Sequence, residues 1–91
     1  MNLYTNQTVN IEPENERGTT WTVEPSYHLS NEALGSTVKY GSYGITFTPS
    51  GTEGFLQITM EGQLDGNNVT AVYDITIIHT DKSAVKLKKV T

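Results

Sequence analysis

Apolar and polar residues alternate along most of the chain with a period of two. The clearest case is Leu56, Ile58 and Met60, which alternate with Gln57, Thr59 and Glu61. This alternation is typical of strands that bury one face and expose the other. Frequent Thr, Val, Ile and Tyr favour the same structure. The predicted strands are 7–11, 19–25, 27–29, 37–40, 44–49, 55–61, 69–79 and 84–90.

Turn-forming residues separate these strands. Asp65-Gly66 lies between two alternating segments and predicts a hairpin. Ser30 and Gly35 bound the one segment with helical character, as N-cap and terminating glycine, so at most one helical turn is expected. Seven or eight short strands predict an all-β, antiparallel β-sandwich or a small barrel, in a single domain over 1–91. The polar residues 1–6 are predicted to be loose.

The composition excludes several classes of protein. The chain has no cysteine, which excludes a disulfide framework, a thiolate zinc site and thiol redox chemistry. No apolar run has the length of about 18–20 residues that a membrane span needs, so no membrane insertion is expected. Neither a basic segment nor an apolar segment follows Met1, so no signal peptide is expected.

Charge is distributed unevenly along the chain. Residues 1–81 carry all ten acidic residues and only Arg17 and Lys39, a net charge of −8. The last ten residues carry +4, from Lys82, Lys86, Lys88 and Lys89. The acidic body argues against nucleic-acid binding, which needs a basic face. The lysines favour an edge strand that is protected from further pairing. The alternative is a contact with a protein partner through Lys86, Lys88 and Lys89.

The order of several motifs resembles that of a known family. An early strand carries Trp21, and the later motifs are Gly44-Ile45-Thr46-Phe47-Thr48-Pro49, Gly54, Leu56-Gln57-Ile58-Thr59 and Ala71-Val72-Tyr73-Asp74-Ile75-Thr76-Ile77. Over residues 7–79 this order resembles immunoglobulin-like domains of bacterial surface proteins and tailed-phage virions, of the bacterial Ig-like or PKD-like kind. The chain lacks the cysteine pair of antibody domains. The resemblance implies a non-catalytic spacer, adhesion module, or capsid or tail decoration, with a protein partner on a virion or cell surface.

The sequence contains little that indicates catalysis or a cofactor. Neither His28 nor His79 has a nucleophile and an acid at a recognisable spacing, and no serine lies in a Gly-x-Ser-x-Gly elbow. We therefore expect no enzymatic activity, no bound cofactor and no histidine metal site. Calcium is the better metal candidate, with oxygens from Asp65, Asn67, Asn68 and Asp81. The turn role of the first three already explains them.

Tyrosines near turns are the candidates for carbohydrate binding. Tyr40 and Tyr43 flank one loop and form the most suggestive pair, while Tyr4 and Tyr27 lie near other turns. Exposed aromatic rings carry binding energy well because they are large and rigid. The interpretation that we favour is that such tyrosines fill the ends of the core or form a contact like a tyrosine corner. Trp21 and Tyr73 are predicted core residues.

Three functions remain open from the sequence. The leading hypothesis is a non-enzymatic structural or adhesion module on a virion or cell surface. The second is a small acidic inhibitor in the cytoplasm that binds a host nuclease or defence protein by imitating the charge of nucleic acid. The third is a carbohydrate-binding module that makes weak glycan contacts through the tyrosines.

Overall fold

The computed structural model describes residues 1–14 and 17–79 and confirms the all-β prediction. One 3-10 turn, Glu32–Leu34, lies among the described strands. The strands are β1 Asn2–Tyr4, β2 Val9–Ile11, β3 Trp21–Leu29, β4 Gly35–Tyr40, β5 Gly44–Pro49, β6 Gly54–Leu64 and β7 Asn67–Ile78.

The described strands form two sheets that pack as a β-sandwich. The four-stranded sheet has the order β1-β7-β6-β3, and the three-stranded sheet has the order β2-β5-β4. Every pair is antiparallel except β1 and β7, which run parallel with Asn2 opposite Thr76 and Tyr4 opposite Ile78. The predicted hairpin at Asp65-Gly66 joins β6 to β7, and both residues have positive φ angles, of 50° and 82°.

The hydrophobic core lies between the two sheets. On β6 the predicted alternation is confirmed, because Leu56, Ile58 and Met60 are at most 2% exposed while their polar neighbours face outward or lie at intermediate depth. No polar or charged side chain is buried among the described residues. The sandwich is therefore held by apolar packing and the sheet hydrogen bonds. The central buried cluster comprises Leu3, Ile11, Leu34, Ile45, Phe47, Leu56, Ile58, Ile75 and Ile77.

The N-terminal residues differ from the sequence-based expectation of a loose end. Residues 2–4 form β1, and Leu3 is only 3% exposed. The main-chain N–H of Thr5 donates to the Ile78 carbonyl at 2.9 Å, and the terminal ammonium of Met1 donates to the Asp74 carbonyl at 2.9 Å. One inward leucine and a ladder of backbone bonds are enough to order this segment.

Two further local features also differ from the prediction. Residues 19–25 and 27–29 were expected as two strands, whereas the structure has one strand, β3, with register shifts on either side of Val23. Pro25 fits because β3 is an edge strand and the irregularity absorbs its missing N–H. The 3-10 turn is capped by the side chain of Asn31, not Ser30. The predicted strand 84–90 lies outside the described residues.

Candidate functional site

The sandwich has an open side between the edge strands β3 and β4. A cleft of about 360 Å³ lies there, and a second of about 210 Å³ adjoins it, with Tyr27 and Thr37 lining both. Two polar contacts link the sheets along this side. The Lys39 Nζ lies 2.7 Å from the Glu24 Oε1, and the Tyr27 hydroxyl donates to the Tyr43 carbonyl at 2.6 Å. These contacts join the two edges, between which no described strand lies.

Burial controls the ionisation of the tyrosines near this side. Loss of solvation raises the pKa of Tyr27 to about 12, with smaller contributions from Tyr73 and the Glu12 carboxylate. Burial also raises the pKa of Tyr73, and the Glu14 carboxylate adds to the effect. Phenols are already protonated near neutral pH, and the raised pKa values extend the protonated form of both tyrosines into the alkaline range. Tyr27 therefore serves as a hydrogen-bond donor throughout this range.

The structure brings the two candidate glycan residues, Tyr40 and Tyr43, to one hairpin. Tyr40 ends β4, Tyr43 precedes β5, and they are 40% and 41% exposed. The Tyr43 ring lies 6.0 Å from the Trp21 ring, centroid to centroid, and tilted by 46°. Tyr43 also lines the smaller β3–β4 cleft and a cleft of about 270 Å³ beside Glu12 and Ser42. Tyr43 thus covers one end of the core and presents its remaining surface to two clefts.

The predicted core residue Trp21 is buried, with 9% of its surface exposed. Its indole Nε1 has no hydrogen-bond partner among the described residues. Tyr73, the other aromatic residue predicted for the core, is partly buried and packs against the central cluster. Trp21 and Tyr73 are therefore mainly structural, whereas Tyr40 and Tyr43 keep exposed surface.

The outer face of the four-stranded sheet carries an exposed apolar cluster, which we define as Tyr4, Phe55 and Ile78. Tyr4 lies directly opposite Ile78 in the parallel pair, and Phe55 lies opposite Thr76, diagonally next to Ile78. The three side chains are 46%, 57% and 39% exposed. Sequence reasoning missed Phe55 and Ile78. The signal in the sequence was that Phe55 and Ile78 alternate with the inward-facing residues of their strands, so their apolar side chains are expected on the outer face.

Neither histidine lies in a catalytic arrangement in the described part of the chain. The His28 Nε2 is 3.5 Å from the Ser26 hydroxyl, with both residues exposed. The His79 Nε2 is 3.8 Å from a Glu53 carboxylate oxygen, which also accepts the main-chain N–H of His79 at 3.0 Å. Within residues 1–14 and 17–79, no three His, Asp or Glu side chains are grouped so that they could hold a metal ion.

The other candidate ligands have structural roles or lie outside the described residues. The Asp65 Oδ1 accepts the main-chain N–H of Thr20 at 2.9 Å, which ties the hairpin to the start of β3. The candidate calcium ligand Asp81 and the candidate partner contacts Lys86, Lys88 and Lys89 lie outside the described residues.

Comparison with protein-family models and with curated proteins finds no match for this chain. The resemblance to bacterial and phage Ig-like domains therefore stays a prediction. Among the described residues, no helix has the length and apolar character that crossing a membrane requires.

Proposed function

We propose that this chain is a non-enzymatic structural or adhesion module that binds a protein partner on a virion or cell surface. The observation that carries the proposal is the apolar cluster of Tyr4, Phe55 and Ile78, which stands exposed on an otherwise largely polar sheet face. Neighbouring exposed aromatic and aliphatic side chains are typical of protein–protein contacts, where aromatic anchors supply much of the binding energy. The motif order of Ig-like surface domains supports the location.

The cluster is well placed for such a contact. All three side chains belong to paired strands, so a partner meets a preformed surface and little conformational entropy is lost on binding. Asn2, Gln57 and Asp74 are exposed neighbours on the same face and supply polar contacts around the cluster. Where many copies share one particle, weak single contacts add through avidity.

The test is affinity capture from the source organism or its infected lysate, read by mass spectrometry at low and moderate salt. The bait is the full chain, compared with the double variant Tyr4→Ser/Phe55→Ser. Val23→Ser on β3 is the matched control, because Val23 is also half exposed. We expect the full chain and the control to recover a capsid, tail or surface-layer protein, and the double variant to lose it. Equal recovery by all three baits contradicts the proposal.

Two sequence-based hypotheses have their own outcomes in this experiment. Recovery of a host nuclease that disappears at moderate salt supports the acidic inhibitor, since charge mimicry is screened by salt. Replacing Lys86, Lys88 and Lys89 with Gln tests the lysine contact. Unchanged recovery by that triple variant removes these lysines from the binding surface.

Carbohydrate binding is the second candidate function, and the position of Tyr43 between two clefts favours it. The cleaner test residue is Tyr40, because a change at Tyr43 also uncovers Trp21. On a glycan array, Tyr4→Ala serves as the control and is expected to keep the glycan binding of the unmodified chain. Tyr40→Ala is expected to lose that binding. A signal that survives both Tyr40→Ala and Tyr43→Ala argues against this candidate.

A further inference from the structure

Among the four edge strands of the described sheets, β4 is the one with the least protection against further pairing. β1 and β2 each have only three residues, and β3 contains Pro25 and two register shifts. β4 pairs with β5 over six residues without any irregularity. Short strands, proline, bulges and inward-pointing charges are the usual means of blocking an edge, and of these β4 has only one charged residue, Lys39. No described strand pairs with its outer side.

The hydrogen-bond alternation shows which main-chain groups this edge presents. The Ser50 N–H donates to the Leu34 carbonyl at 2.9 Å, which makes that pair a hydrogen-bonded one. In an antiparallel ladder the next hydrogen-bonded pairs follow at every second residue, so Ser36, Val38 and Tyr40 bond to β5. Thr37 and Lys39 therefore direct their N–H and C=O groups away from β5.

Val38 lies at the centre of this edge and is 64% exposed, the highest value among the large hydrophobic residues described. We propose that β4 pairs antiparallel with β4 of a second copy of this chain, around a two-fold axis at Val38. The two three-stranded sheets then join into one continuous sheet. This surface is separate from the apolar cluster on the other sheet, so the inference stands independently of the proposed function.

The register follows from the free main-chain groups and from the two faces of the strand. With Val38 opposite Val38 of the second copy, Thr37 lies opposite Lys39, and each such pair exchanges two N–H···O bonds. Thr37 and Lys39 pair with Phe47 and Ile45 of β5, so their side chains lie on the inner face of the sheet. In the dimer, Thr37 of one copy therefore lies beside Lys39 of the other copy on that same face. The two Val38 side chains cover each other in the non-hydrogen-bonded pair.

Charge complementarity favours a second copy as the occupant of this edge. Thr37 and Glu32 line the larger β3–β4 cleft, and no lysine or arginine is among the described residues that line it. Within one copy Lys39 makes an exposed ion pair with Glu24, which contributes little in water. In the proposed register Lys39 of the second copy lies opposite Thr37, which lines the same cleft as Glu32, so the dimer brings a second acidic residue near this lysine. Two-fold symmetry makes this contact twice, once on each side of the axis.

The first test is sedimentation of the full chain over a wide concentration range, with Val38→Lys as the disrupting variant. Like charges opposite each other oppose pairing, and we expect the dimer dissociation constant to rise about tenfold or more. Val72→Lys is the matched control, since Val72 is a 54% exposed valine in the middle of β7, and it should dimerise like the unmodified chain. Mixing Val38→Lys with Val38→Glu should restore a mixed dimer. A chain that stays monomeric throughout, or a dimer that Val38→Lys leaves intact, overturns the proposal.

The second test uses the absence of native cysteine. In the proposed register the two Cα atoms at position 38 are about 4.5 Å apart, within the range that a disulfide spans. Val38→Cys should therefore oxidise to a covalent dimer that reducing agent separates, while Val72→Cys should stay largely monomeric. Equal crosslinking of the two variants overturns the register at Val38.

Discussion

The hydroxyl of Tyr27 donates a 2.6 Å hydrogen bond to the main-chain carbonyl of Tyr43. Tyr27 belongs to β3 of the four-stranded sheet, and Tyr43 lies in the turn before β5 of the three-stranded sheet. The bond therefore joins the two layers on the side where no described strand closes the sandwich. It also holds the turn that places Tyr43 over Trp21.

Tyr27→Phe is expected to lower the free energy of unfolding by about 1 kcal/mol, because it removes the hydrogen bond that joins the two sheets here and leaves the Tyr43 carbonyl without this donor. Urea unfolding followed by tryptophan fluorescence measures the change. Tyr40→Phe is the matched control, and its effect should stay within about 0.5 kcal/mol, because Tyr40 is more exposed. Equal effects of the two substitutions would contradict the structural role of the Tyr27 bond.

Stability is expected to fall in the alkaline range. The pKa of Tyr27 rises from 10.0 to about 12 in the folded chain, so folding favours the protonated phenol. This contribution is complete below pH 10 and is lost as the pH increases from 10 to about 12. Urea unfolding at several pH values should show that decline, with a smaller slope in Tyr27→Phe. Part of the decline should remain in that variant, since the pKa of Tyr73 is also raised. Identical slopes would show that Tyr27 does not titrate in this way.

Leu3→Ala is expected to lower the free energy of unfolding by about 2–5 kcal/mol, as for other buried leucines. Leu3 is 3% exposed and belongs to the central apolar cluster. Asn2→Ala provides the control, because Asn2 is the exposed neighbour in the same strand. Thermal unfolding of both variants separates core packing from any general effect of altering the N-terminus. If Leu3→Ala lowers the free energy of unfolding no more than Asn2→Ala does, β1 contributes little to stability.

Gly35→Ala is expected to lower the free energy of unfolding by about 1–3 kcal/mol, because the added methyl group overpacks the core. A Cβ at Gly35 would lie 2.4 Å from the Phe47 Cζ and 2.6 Å from the Thr48 carbonyl oxygen. Phe47 is fully buried, so its ring has little room to withdraw. Ser36→Ala, at the exposed next position, should have little effect. Comparison of the two melting temperatures tests this packing, and a stable Gly35→Ala would require that the ring can move.

Where a strand is long enough for its alternation to repeat, the sequence predicts it well. Residues 44–49 were predicted as a strand and form β5 with the same bounds. β6 was predicted as 55–61 and extends to Gly54–Leu64. The added residues there include Gly62, which packs closely against the Trp21 ring. Such a tertiary contact leaves no periodic signal in the sequence.

Short strands and surface clusters are harder to predict because their signal is not local. β1 contains one inward residue, Leu3, so no period exists to detect, and its order depends on β7 more than seventy residues away. The apolar cluster joins Tyr4, Phe55 and Ile78 from three different strands, and only the pairing register brings them together. For Tyr40 and Tyr43, the sequence did predict a shared loop, because both residues flank one local turn.

The parallel pairing of β1 with β7 has a consequence for how the protein folds during synthesis. Among the described strands β1 is synthesised first, and its hydrogen-bonding partner lies at residues 76–78. The described sandwich therefore cannot be completed until that segment has also emerged. Contacts so distant along the chain are formed slowly, since a long loop must close before they gain any stability. Until β1 docks, Leu3 stays exposed to solvent. Once β7 has been synthesised, the edge that β1 later occupies is also unpaired until that step. We therefore expect β1 to dock late, after β6 and β7 have formed their hairpin.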